Sequence, residues 1–63
     1  MPLTGKEMVK LAKKNGWIEV RIEGSHHHFK KEGFPRIVSI PVHGNKDLRK
    51  GLERKILKDL GLL

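Results

Sequence analysis

Four histidines dominate the chemistry available to this 63-residue chain. Three are consecutive, His26-His27-His28, and the fourth is His43. Imidazole, with an ordinary pKa near ~6.5, exchanges a proton at neutral pH. It also ligates zinc and nickel. The run is internal and only three long, which sets aside an affinity tag. Three uses remain. His26 and His28, on one side of a strand, and His43 from a loop could share a metal, although no carboxylate stands at a suggestive ligand spacing. The run could be polar residues on an open sheet face. Or an imidazole could act as a general base on RNA. RNA brings its own nucleophile, the 2′-hydroxyl. The protein then needs only a base, cations around the phosphate and a shallow groove. Gly24 before the run lets backbone approach a phosphate closely, and Ser25 offers a hydroxyl or a backbone N–H. With no cysteine in the chain, thiol catalysis, Cys-based zinc sites and disulfides are excluded.

The charge balance points to a polyanion. Fourteen Lys and Arg stand against seven Asp and Glu, a net charge of +7, and nucleic acid is the commonest partner for such an excess. Lys6, Lys10, Lys13 and Lys14 form one stripe at helical spacing. Lys50, Arg54 and Lys58 form another. Like charges at i, i+4 cost a helix a few tenths of a kcal/mol, so two acid-free stripes suggest contact with phosphates. A solvated helix face is the plainer explanation.

These groups must be positioned by a small fold. The length allows one domain, residues 1–63, with a thin core and no deep cofactor cavity. Thr4-Gly5-Lys6-Glu7 matches a capping box, and Met8, Leu11 and Ala12 recur at helical spacing, predicting a helix over 4–15 closed by Asn15-Gly16. Trp17 to Glu23 alternates, with Ile18, Val20 and Ile22 together on one face of a half-buried strand. Gly24-Ser25 turns the chain into a second strand over 25–31. Phe29 is its natural core residue, so Ser25 and His27 should face inward, and His26, His28 and Lys30 outward. A bulge at Gly24 would invert the first residues. Arg36 to Val42 predicts a third strand, with Pro41 at its end or on an edge. Leu48, Leu52, Ile56 and Leu60 predict a helix to about Leu60. The expected fold is α+β: α-β-β-β-α in two layers, a three-stranded antiparallel sheet with both helices on one face. No apolar run is long enough to span a membrane and no secretory signal opens the chain, which makes the cytoplasm the expected location.

Gly24-Ser25-His26-His27-His28-Phe29, then Ile40-Pro41-Val42-His43, Asp47-Leu48, Gly51, Ile56-Leu57 and Gly61-Leu62, resemble the HicA family of bacterial toxins. Lys10-Leu11 and Asn15-Gly16-Trp17 extend the likeness over nearly the whole chain. The resemblance implies a fold like a double-stranded-RNA-binding domain. It implies cleavage of mRNA without a metal or other cofactor, arrest of translation, and neutralisation by a HicB-type antitoxin. The toxin alone is expected as a monomer. The family's catalytic histidine follows the Gly-Ser pair and falls on His26. Some members carry one more residue there, which keeps His27 an alternative, and His28 also stays open as base or acid. Lys30 and the helix lysines would then stabilise the phosphate. A non-catalytic RNA-binding module of the same fold is the alternative. Where family members often carry Ala, this chain has Leu60, a packing difference.

Overall fold

A computed structural model describes residues 2–63. The first helix, α1, spans Gly5–Lys14. Its start is the capping box: the Glu7 N–H donates to Thr4 Oγ1 at 3.1 Å, and the Thr4 N–H donates to Glu7 Oε1 at 2.9 Å. Asn15 closes the helix and Gly16 follows at φ 91°. Three strands come next, β1 (Ile18–Glu23), β2 (His26–Lys30) and β3 (Val38–Pro41), then α2 (Lys50–Asp59). The strands form one antiparallel sheet in the order β1-β2-β3. This is the α+β arrangement expected from the periodicity, with strands one or two residues shorter at their ends.

The core sits between the helices and one face of the sheet. Met8 and Ala12 from α1, Phe29, Val38 and Ile40 from the sheet, and Leu48, Ile56 and Leu60 from the last third of the chain are all buried. Trp17 joins them and donates its Nε1–H to the Leu60 carbonyl at 3.3 Å.

The expectation for β1 fails. Ile18, Val20 and Ile22 do not share a buried face; they are 67%, 50% and 54% exposed. Two causes combine. The register with β2 shifts between Glu19 and Arg21, a bulge that breaks the alternation at Val20. Glu19, opposite Phe29, therefore takes an inward position that strict alternation assigns to an isoleucine. β1 is also an outer strand, and two ten-residue helices, each about 15 Å long, do not cover its whole length.

Gly5 lets α1 approach the end of β3. A Cβ built at Gly5 would lie 2.2 Å from the Pro41 carbonyl oxygen and 2.8 Å from Val42 Cα. Both are backbone atoms that cannot rotate away. Alanine is intrinsically better in a helix by ~1 kcal/mol, yet Gly5→Ala is expected to destabilise the fold by about 1–3 kcal/mol through this overlap. Thermal unfolding followed by circular dichroism checks it, and a melting temperature at or above the wild-type value refutes the close packing.

Candidate active site

The histidine run is sorted by the pairing of β2. Gly24 and Ser25 form the two-residue turn from β1, with Gly24 at φ 60°. A left-handed residue at the first central position suits the type II′ hairpin turn, and glycine adopts it without strain. The Val42 N–H donates to the Ser25 carbonyl at 2.8 Å, which ties this turn to the end of β3. No inversion occurs at Gly24. His27 pairs with Ile40 and Ile22, and Phe29 with Val38, so His27 shares the helix side with the core residues. His26, opposite Glu23 and Pro41, and His28, opposite Arg21 and Ser39, take the open face.

The three imidazoles have different surroundings. The His27 side chain is 23% exposed, and its Nδ1 donates to Glu19 Oε2 at 2.5 Å. Lys13 Nζ stands 3.7 Å from the other oxygen of the same carboxylate. These contacts run from α1 through β1 to β2. His28 is 14% exposed. Its Nδ1 meets Ser39 Oγ at 2.6 Å. Its Nε2 lies 3.0 Å from Glu23 Oε1, out of line for a hydrogen bond, so this buried nitrogen has no hydrogen-bond partner among the described residues. His26 is exposed and makes no side-chain hydrogen bond or ion pair among the described residues.

His26 instead lines a cleft of about 440 Å³ at the end of β3. Pro41, Leu48 and Leu52 give it apolar walls, and His43, Lys46 and Arg49 give it polar ones, with Asp47 as the lone acid. α2 starts here, and its N-cap residue, Arg49, makes no side-chain capping bond. The positive end of the helix is therefore left without a side-chain cap, and Glu53, the acid of its first turn, accepts from the Leu3 N–H. The ion pairs among the described residues use Lys13, Arg21, His27, His28 and Lys55, and leave Lys46 and Arg49 unpaired. No three His, Asp or Glu side chains among the described residues converge as a metal ion requires.

The other cations singled out in the sequence lie elsewhere. Lys30 shares the open face with His26 but stands four residues along β2, roughly 13 Å away. Lys6, Lys10, Lys13 and Lys14 are exposed on α1, with Lys10 and Lys14 beside a hollow formed with Leu3 and Leu11. Lys50, Arg54 and Lys58 are exposed on α2, and none of them lines the His26 cleft. Lys46 and Arg49, which do, lie in the connection after β3, where no periodic pattern draws attention to them. The available signal was topological: antiparallel pairing returns the end of β3 to His26, and the residues that follow must pass it.

No curated protein matches the chain. A chain in a solved "Toxin-Antitoxin complex from Streptococcus pneumoniae" is 44% identical, covers 97% of this chain and 100% of its own length, and superposes with a TM-score of 0.79. The model of the HicA toxin of bacterial toxin-antitoxin systems matches residues 5–62, a span that contains the capped first helix, the glycyl-seryl turn with its histidines, and the basic connection into α2. By that match the chain belongs to the HicA family of toxins.

Proposed function

We propose that the chain is an endoribonuclease that cleaves mRNA from the cleft beside His26. One observation carries this: the imidazole of the run with no side-chain partner among the described residues lines the same cleft as Lys46 and Arg49, which have no ion pair among those residues either. His26 takes the proton from a ribose 2′-hydroxyl. The 2′-oxygen attacks the adjacent phosphorus, and the bond from phosphorus to the 5′-oxygen breaks. His43, the second imidazole of the cleft, gives a proton to the departing 5′-oxygen. Lys46, Arg49 and the open N-terminus of α2 hold the phosphate as its charge concentrates in the transition state. Gly24 and Ser25 set the corner that presents His26. His27 and His28 serve as positioning groups, since both are already bound to neighbours.

A HicB-type antitoxin neutralises the toxin in this proposal, in keeping with the toxin–antitoxin complex that holds the 44% identical chain. The +7 charge favours an acidic surface on that antitoxin, laid across the cleft. Cleavage by this route leaves a 2′,3′-cyclic phosphate and a 5′-hydroxyl, and it proceeds undiminished in EDTA. Mass spectrometry of oligonucleotide products, with and without chelator, decides the matter. A 3′-hydroxyl with a 5′-phosphate, or loss of cleavage in EDTA, points to water activated by a metal and sinks the proposal.

A further inference from the structure

A second hollow, of about 390 Å³, lies at the other end of β3 and is lined by Phe34, Pro35, Arg36, Ile37 and Lys55. Both hollows lie between β3 and α2. Residues 48–52 flank the first, whereas Lys55 and Asp59 flank the second. From Val38 to Pro41 the strand advances about 10 Å, and from Leu52 to Asp59 the helix advances about 10 Å in the opposite sense. The two hollows share no lining residue and lie about 10 Å apart along the edge formed by β3 and α2.

Each end combines a cation with an apolar wall. Arg36 has no ion pair among the described residues. Lys55 is held by Asp59 at 3.1 Å, so Arg36 is the cation of the second hollow that can meet an anion. Phe34 is fixed in place. Its ring lies 5.0 Å from the Trp17 ring, and a Cβ on Gly61 would come within 3.0 Å of it. Between the hollows, Ser39 is exposed on the outer strand. The Val42 N–H bonds inward to Ser25, so by antiparallel alternation the Ser39 N–H turns outward from the sheet edge.

We infer that the two hollows are successive contacts on one track for single-stranded RNA along the edge between β3 and α2. The scissile phosphate lies at His26, and a nucleobase one or two nucleotides away lies against Phe34, Pro35 and Ile37 with its phosphate on Arg36. Alternating cations and apolar walls are what a single strand needs, since it offers both a charged backbone and unpaired bases. A duplex hides its bases and is read across its minor groove. Two hollows along the edge between one strand and one helix do not match that surface. This inference rests on the proposed RNA chemistry at His26 and adds the class of substrate.

Binding tests it independently of cleavage. The probe is a fluorescein-labelled 2′-O-methyl octanucleotide, which lacks the nucleophile, with anisotropy read at several salt concentrations. Arg36→Ala is expected to weaken binding about tenfold and to make the salt dependence shallower by about 0.7 in log–log slope. Arg36→Glu should weaken it further. Arg21→Ala, on the opposite edge of the sheet, should leave it within about twofold. The wild type should bind the single strand more tightly than a duplex of the same length. Unchanged affinity in both Arg36 variants, or preference for the duplex, overturns the track. Failure of the His26 chemistry looks different: unmodified RNA is then bound, with the Arg36 dependence intact, and is never cut.

Discussion

His26→Ala is expected to lower the single-turnover rate of RNA cleavage by about 10²–10⁴-fold, the usual contribution of a general acid or base. That corresponds to roughly 3–5 kcal/mol of transition-state stabilisation. The loss should appear in the rate and not in affinity, because Lys46, Arg49 and the α2 N-terminus are untouched. It should leave the melting temperature almost unchanged, because His26 is exposed and bonded to nothing among the described residues. His27→Ala provides the contrast. It removes the bond to Glu19 and loosens the link through Lys13 to α1. A hydrogen bond to a charged group is worth about 1.5–3 kcal/mol, so this variant should melt earlier and still cut RNA at temperatures where it is folded. In a bacterium, induction of the His26 variant should no longer arrest growth. A His26→Ala protein that cleaves at the wild-type rate moves the base to another residue.

Phe29→Ala should unfold the protein. Phe29 is the largest fully buried side chain and the one core residue of β2, the strand that carries all three consecutive histidines. Truncating a buried Phe costs about 3–5 kcal/mol. A domain of this size seldom has more than about 3–5 kcal/mol in total, so the loss consumes the whole stability. The expected observations are collapsed amide dispersion in a proton–nitrogen spectrum and no cooperative urea transition. Phe29→Leu keeps most of the volume and should remain folded at a cost near 1 kcal/mol. If Phe29→Ala unfolds cooperatively with a midpoint near that of the wild type, the histidine strand is anchored by something other than this ring.

The two predictions share a cause. β2 is half core and half site, and the pleat that buries Phe29 on one side presents His26 on the other. The inward place of Phe29 was legible in the sequence, because alternation is local and one aromatic in a polar run marks the inner face; the outward place of His26 needed the pairing that excludes a bulge at Gly24. The capping box of α1 was legible for the same reason: its partners are three residues apart. β1 was misread. Its isoleucines and valine alternate as a buried strand does, but a bulge and an outer position leave all three in solvent. Alternation records which residues share a face, not whether anything covers it.

By itself the sequence determined the order α-β-β-β-α, the turn at Gly24-Ser25 and the likeness to the HicA family. Each of these depends on residues close together in the chain or on a motif in fixed order. Only the tertiary structure decided which charges stand beside His26. Lys30 and the two helix stripes were conspicuous by spacing, yet Lys46 and Arg49 line the cleft. Helical or strand spacing describes one element at a time. Neighbourhood across elements depends on register and on the path of the connections, and here the pairing of Pro41 with His26 brings the basic loop to the histidine.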